Sequence, residues 1–267
     1  MSSSRPPINR PSASPAEPPS IAVVMPAYNE ADRIEVTLEA VARHGSANHR
    51  SIPVFLADDG SADSTTAVAW TAAQRLGLSL EILRLPHRGK AWTVRDGMLT
   101  AAGRSDADYL LMLDADNEIS ISHVDGVKWT DNPDTIYIAR RVRETGGALG
   151  ATPPLFRRFM SFGMRSAARV LLGLPYPDTQ CGFKLFPRHL AVELFTQQRS
   201  SSWVFDAEIL VIARASGIPI REVPVVWQPR GESRVGSAAA VSSVLGLLGI
   251  AIRRWRGAYR RVGPPRR

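Results

Sequence analysis

The chain has 267 residues, 44% of them hydrophobic and 22% charged, with a formal net charge of +8. That length can bury a sizeable core, enough for one α/β domain plus an appendage, and it excludes a small stapled scaffold. A lone cysteine, Cys181, excludes an intramolecular disulfide framework and a Cys-rich zinc site, and fits a reducing compartment. Lysine occurs only at 90, 128 and 184, so the positive charge is almost wholly arginine. It reflects either base composition or a surface that faces phosphate groups.

Residues 1–20 are Ser- and Pro-rich with no apolar run, so they read as a disordered tail and not as a secretory signal. Ile21 to Met25 is a short apolar strand stopped by Pro26, and Asn29-Glu30 opens a helical pattern through Ile34, Leu38 and Val41 to Gly45. Pro53 to Ala57 repeats the strand signal. Asp58-Asp59-Gly60-Ser61 then makes a turn, and Asp63 or Ser64 caps a helix to about Leu76. Leu78 to Leu85 and Gly89 to Ala102 give the third strand and helix, and Tyr109 to Leu113 the fourth strand. Alternation at this pitch means right-handed crossovers and a largely parallel sheet flanked by helices, a Rossmann-like α/β arrangement. No glycine-rich phosphate fingerprint follows the first strand, which argues against a dinucleotide enzyme or a P-loop ATPase.

Beyond a fifth strand at Thr135 to Ala139 the pattern changes. Leu155 to Leu172 mixes Arg157, Arg158, Arg165 and Arg169 with Phe156, Phe159, Phe162 and Met164, as a helix with basic and aromatic faces would. Asp178 to Phe186 is irregular and ends in an aromatic strand, and helices follow at Pro187 to Phe195 and Trp203 to Ala215. Ile220 to Trp227 alternates like a strand, and Pro219 and Pro224 place it at a sheet edge. Ala238 to Ile252 is apolar and small, with Arg253, Arg254, Arg256, Arg260 and Arg261 behind it. That run falls short of the roughly 20 residues of a membrane span. It either lies among lipid headgroups with its arginines on phosphates or packs on the domain.

The chemistry concentrates at the end of the fourth strand. Asp114, Asp116 and Glu118 alternate behind a buried apolar run, at the carboxyl edge where open α/β sheets bind ligands. Alternating oxygens there suit a hard divalent cation, Mg²⁺ or Mn²⁺, that clamps a diphosphate. The competing reading is a solvated turn, where Asp and Asn serve the backbone.

Seven separated motifs then coincide with one family. They are Met25-Pro26-Ala27-Tyr28-Asn29-Glu30, residues 58–65, Arg88-Gly89-Lys90 with Val94-Arg95-Asp96-Gly97, Asp114-Ala115-Asp116, residues 178–186, residues 203–208 and Arg230-Gly231-Glu232-Ser233-Arg234. Over roughly residues 20 to 236 the chain resembles the family 2 inverting glycosyltransferases of the GT-A fold, in the branch that makes dolichyl-phosphate or polyprenyl-phosphate hexoses. The resemblance implies a GT-A domain over 21–236 and an apolar, basic interfacial helix and tail over 237–267. Residues 178–186 look closer to the glucose than to the mannose synthases, which leans the donor to UDP-glucose, with GDP-mannose the alternative. The chain departs from the family at Lys90-Ala91-Trp92-Thr93, where Lys-Gly-x-Ala is usual, so an indole stands beside the donor site.

Pro26, Ala27 and Tyr28 would shape the nucleotide slot. Glu30 and either Asp58 or Asp59 would accept hydrogen bonds from ribose or base, the resemblance favouring Asp59 for the base. Lys90, Asp114, Ala115 and Asp116 would complete the nucleotide-sugar site, with Asp114, Asp116 and Glu118 on the metal. The acceptor phosphate would meet Arg140, Asp178, Gln180, Arg230, Ser233 and Arg234, and Asp116 and Arg140 are the catalytic candidates. A lipid phosphate is already ionised near neutral pH, so no protein base is needed. The expected partners are a nucleotide sugar, a polyprenyl phosphate and a membrane surface, with the enzyme peripheral on the cytoplasmic face. The alternatives are a same-fold transferase with a soluble acceptor, and a basic scaffold or nucleic-acid binder. The last is disfavoured because no recognition helix or aromatic platform accompanies the arginines.

Overall fold

The structure is a computed structural model that describes residues 18–142, 169–228 and 237–263. The strand and helix alternation read from the sequence is present as β1 (Ile21–Ala27), α1 (Ile34–Ala47), β2 (Val54–Asp58), α2 (Thr65–Leu76), β3 (Leu80–Arg84), α3 (Lys90–Arg104) and β4 (Tyr109–Leu113). A 3₁₀ turn (Ile121–Gly126) leads to β5 (Ile136–Val142), and β6 (Phe183–Pro187), α4 (Arg188–Thr196), α5 (Phe205–Ala215), β7 (Ile220–Val226) and α6 (Ser237–Trp255) follow. Arg169 to Leu172 closes the expected basic and aromatic helix; the rest of that stretch, to residue 168, lies outside the described residues. So do residues 1–17 of the expected tail, whereas Pro18 to Ser20 are tied down: the Ser20 hydroxyl donates to Asp108 at 2.7 Å and Arg50 donates to the Pro18 carbonyl at 2.8 Å.

The seven strands form one sheet in the order β3-β2-β1-β4-β6-β5-β7. The first four pair in parallel, as crossover helices require, and β7 pairs in parallel with β5 at the edge that its prolines predicted. The exception is β6, which runs antiparallel between β4 and β5. Residues 178–186 are thereby driven into the middle of the sheet, beside the strand that carries the acids.

Period-two alternation divides the core between two faces. Val23, Met25, Leu111 and Leu113 meet Ile34, Leu38 and Val41 of α1 and Ala69 and Ala72 of α2. Ala22, Val24, Leu110 and Met112 meet Val94 and Met98 of α3 together with α4 and α5. Helix α6 joins the second face through Leu247 and Ile250, and Gly246 lets it approach so closely that a Cβ there would stand 2.5 Å from the Ser202 hydroxyl. The opposite side of α6, with Leu245 64% exposed and Trp255 87% exposed, carries apolar residues outward.

Gly97 explains the glycine in the Val-Arg-Asp-Gly motif, because α3 lies directly on β1 and β2 there. A Cβ would fall 2.9 Å from Val24 and 3.1 Å from Ala57, in a part of the sheet that has no slack. Gly97→Ala is expected to lower stability by about 1–3 kcal/mol, read as a shift in the urea midpoint at unchanged slope.

Candidate active site

The site forms where the chain stops being extended after Leu113. Thr37 of α1 is buried and donates its hydroxyl to the Ala115 carbonyl at 2.6 Å, which pins the middle of the acidic turn. Asn117 turns the chain with φ 51°, in the left-handed region that Asn tolerates better than most residues. Alternation holds only while backbone stays extended, so the expected triad of Asp114, Asp116 and Glu118 does not converge. The Glu118 carboxylate accepts the Trp227 indole N–H at 2.7 Å, at the far end of β7. Asp116 accepts the Glu118 backbone N–H at 3.1 Å. Burial, reinforced by the Asp114 charge, pushes the Asp116 carboxyl above its usual range.

Asp114 is held differently. One oxygen sits 2.6 Å from the Lys90 ammonium, at the start of α3. The carboxylate also lies against the backbone of Gly182, where a Cβ would stand 1.9 Å from its Oδ2. Only glycine fits there, so the Cys-Gly-Phe-Lys stretch of β6 forms a wall of the acidic site. Burial acts to lower the Lys90 pKa, but the carboxylates around it, Asp114 foremost with Asp206 and Asp116, together outweigh it, so the ammonium is held above its ordinary range.

Below this pair lies a second one that the sequence reading did not assign to the site. Lys184 of β6 is 1% exposed and donates to Asp206 at 2.6 Å and to the Cys181 carbonyl at 2.5 Å. Asp206 opens α5, where a negative charge favours the helix dipole, although its complete burial still raises its pKa despite Lys184. The Trp203 ring, just ahead of α5, lies 5.7 Å from the Lys90 ammonium. The available signal was the charged residue in each of two apolar motifs, Phe-Lys-Leu-Phe and Val-Phe-Asp-Ala. Cys181 is buried and its thiol pushed up to about 11, mainly by burial, as a packed residue and not a nucleophile.

The side expected to take the nucleotide is built by loops after β1, β2 and β3. Pro26 and Ala27 are buried in β1, and the Tyr28 ring stacks on His87 at 4.3 Å between centroids. Asn29 receives the Ala62 N–H at 2.9 Å and Thr65 receives the Glu30 N–H at 2.8 Å, which laces the first two loops together. Glu30 pairs with Arg33 at 2.6 Å. Asp58 accepts the Ser61 N–H at 3.3 Å. Asp59 accepts backbone N–H groups of Arg88 at 2.9 Å and Gly89 at 3.0 Å, and His87 stands 2.9 Å from it. The carboxylate favoured for the base therefore braces the third loop. Trp92 is half-buried and flanked by the guanidinium groups of Arg88 at 5.7 Å and Arg95 at 5.4 Å.

Across the carboxylates, Asp178 is met by Arg141 and not by Arg140. The contact is bidentate, at 2.6 and 3.0 Å, and Arg141 also lies 5.6 Å from the Trp227 ring. Arg140, on the opposite face of β5, stands 4.0 Å from Glu222 and is about half exposed. Gln180 reaches the Trp203 carbonyl at 3.5 Å. Arg230, Ser233 and Arg234 lie outside the described residues.

Residues 22–195 match glycosyl transferase family 2, which spans well over half of the chain. The chain belongs to glycosyl transferase family 2. Its similar relatives include dolichyl-phosphate beta-glucosyltransferases of Trichomonas vaginalis, 32% identical over 86% of this chain and 70% of that one, and of Homo sapiens, 30% identical over 90% and 77%. One from Drosophila melanogaster is 33% identical over 78% of this chain and 66% of that one. The chain thus spans about two thirds to three quarters of those relatives' lengths. In fold it is similar to glucosyl-3-phosphoglycerate synthase from Mycobacterium tuberculosis, solved with UDP, at a TM-score of 0.60 and 18% identity over 91% of this chain and 86% of that one. The fold is GT-A.

For a family 2 enzyme of this fold, the donor set fits a hard cation. Among the described residues no three His, Cys, Asp or Glu side chains are gathered into a metal cage. Two nearby carboxylates, Asp114 and Asp116, are what Mg²⁺-type sites offer when substrate phosphates complete the shell. The buried pair beneath is the structural precondition. Asp206→Asn would strand the Lys184 ammonium and is expected to cost about 3–5 kcal/mol in denaturant unfolding. Lys184→Met combined with Asp206→Leu should cost less than either single change, a sign of non-additivity read from the double-mutant cycle.

Proposed function

We propose that the chain transfers glucose from UDP-glucose to a polyprenyl phosphate, with inversion, at the cytoplasmic face of a membrane. The observation that carries the reading is the place of Asp114 and Asp116. They lie at the carboxyl edge of the parallel strands, with the Tyr28 loop on one side and the Arg141–Asp178 clamp on the other. The relatives named as dolichyl-phosphate beta-glucosyltransferases support the sugar and the acceptor class. A structural neighbour solved with Mn²⁺, UDP and glucosyl-3-phosphoglycerate supports the metal.

Asp114 and Asp116 would hold Mg²⁺ or Mn²⁺, which would neutralise charge on the departing diphosphate. Lys90 adds a cation at the same edge. Trp203 covers one side of the partly buried ammonium, so its charge counts for more than it would in open solvent. On the acceptor side, a phosphate monoester arrives already ionised and needs positioning more than deprotonation. Its oxygen forms the bond to the anomeric carbon while the bond to the UDP oxygen breaks and UDP leaves with the electron pair. Arg141, fixed by Asp178, presents a guanidinium beside that path, and Arg140, Arg230, Ser233 and Arg234 remain candidates of the same kind.

Radiolabelled UDP-glucose, UDP-galactose and GDP-mannose, each with undecaprenyl phosphate, dolichyl phosphate or phosphoglycerate, test the reading directly. Label should pass from UDP-glucose into the organic phase, and Asp116→Ala should lower that rate on the order of 10²-fold or more with the melting temperature kept. Transfer only to phosphoglycerate would replace the lipid acceptor with a soluble one.

We place the membrane contact on α6. No helix among the described residues is long and apolar enough to cross a membrane. The outward stripe of Val244, Leu245, Leu248, Ile252 and Trp255, followed by Arg256, Arg260 and Arg261, suits a helix lying in the interface. Truncation would strip Leu247 and Ile250 from the core, so the informative variant replaces Leu245, Leu248 and Trp255 by Ser. Sedimentation with anionic vesicles should weaken at least about tenfold while thermal stability holds.

A further inference from the structure

We infer that Lys90 stands in for the divalent cation: in the free protein its ammonium occupies the place at Asp114 that the ion takes, so that ion and nucleoside diphosphate are taken up together. The inference rests on the donor-site reading above and concerns how that site is filled.

The charges around the site impose this coupling. Asp114, Asp116 and Asp206 bring three carboxylates together, and Lys184 and Lys90 bring two cations. Lys184 is committed, since its ammonium is buried between Asp206 and the Cys181 carbonyl. Among the described residues Lys90 is then the cation that serves Asp114 and Asp116, and it does so by direct contact at 2.6 Å with Asp114 Oδ1. A divalent ion at those two carboxylates would meet the ammonium as a like charge at contact distance, on an oxygen that the ammonium already occupies, and Lys90 would have to leave.

Where it could go is limited. Asp206 already has Lys184, and Lys90 is the first residue of α3, where the helix dipole disfavours a cation. The anion that remains is the diphosphate itself. Backbone motion is not required, because the Arg88 and Gly89 N–H groups are bonded to Asp59 and hold the loop while the Lys90 side chain turns. Free metal therefore competes with the ammonium, whereas metal arriving with a diphosphate gives the ammonium a new partner. By linkage, UDP should raise the affinity for the ion and the ion should raise the affinity for UDP by the same factor.

The full chain is titrated with Mn²⁺, the free ion being followed by electron paramagnetic resonance, without nucleotide and with saturating UDP. Lys90→Met should bind Mn²⁺ alone at least tenfold more tightly than the unaltered protein, and UDP should enhance its Mn²⁺ binding at least tenfold less. Lys90→Arg keeps a cation in place and should retain weak nucleotide-free binding, and Lys90→Gln serves as a second neutral variant should the Met form fail to fold. If Lys90 only grips the diphosphate, the neutral variants will leave Mn²⁺ binding unchanged without nucleotide and weaken UDP alone, and the inference is overturned. Equal tightening in the Arg and Met variants also overturns it. An unaltered protein that takes up no Mn²⁺ even with UDP overturns the donor-site reading itself, and the inference with it.

Discussion

The Lys184–Asp206 pair is the constraint on which the geometry of the site depends. A lysine ammonium at 1% exposure in the middle of a sheet is tolerable only with a close counter-charge and a second acceptor, and Asp206 and the Cys181 carbonyl supply both. Meeting that demand fixes three things together. It seats β6 between β4 and β5, it holds the first turn of α5 against the sheet, and it sets Trp203 beside Lys90. Two residues before Lys184, Gly182 then offers the bare backbone that Asp114 packs on. The acids at the end of β4 are thus placed by a strand that follows them some 70 positions later in the chain.

The two halves of the sheet contribute differently to the edge. Loops after β1, β2 and β3 are bonded to one another through Asn29, Asp59 and Thr65, so this side of the edge is a prebuilt wall. Beyond β4, the Arg141–Asp178 clamp ties β5 to the segment entering β6, and Glu118 ties the acidic turn to Trp227 at the end of β7. Asp114 and Asp116 stand on the seam between these halves. A transferase that must bring two substrates to one carbon needs its charged groups at such a seam, where each half can shape one partner.

What the sequence disclosed follows from which interactions are local. Crossovers among β1 to β4 and their helices were legible because parallel pairing demands a helix between strands, and the apolar period changes with it. The edge position of β7 was legible from Pro219 and Pro224, since a proline cannot donate to a neighbour. The direction of β6 was not, because an apolar run carries no sign of its partner. Arg140 and Arg141 differ by one step of a two-residue period, so strand phase decides which guanidinium meets Asp178. Glu118 was assigned by extending that period past Leu113, where the chain had already turned. Asp59, read as a ligand, also accepts backbone N–H groups of the third loop, a partnership that links residues about thirty positions apart and leaves no mark in the local sequence. Lys184 and Asp206 received no role because each is a single charge within an apolar motif, and only the fold brings the two together.

Helix α6 reconciles two readings that looked exclusive. Its arc through Leu247 and Ile250 is part of the domain, and at Gly246 the helix packs directly on Ser202 and Val204. Arg253 on that helix also reaches the fully buried Glu208 at 3.1 Å, and Tyr259 just behind the helix reaches the same carboxylate at 2.7 Å, so withdrawing the helix would strand a charge in the core. The outward arc is apolar without any such partner among the described residues. An amphipathic helix normally turns polar residues to water, and one apolar on both sides while docked on one has a second apolar neighbour to account for. Gly246 rests on Ser202 and Val204, which flank Trp203, and Trp203 faces Lys90. If α6 lies on a lipid surface as proposed, the helix and the 202–204 loop together link that surface to the Lys90–Asp114 pair, so the membrane contact and the donor edge share one continuous stretch of packing.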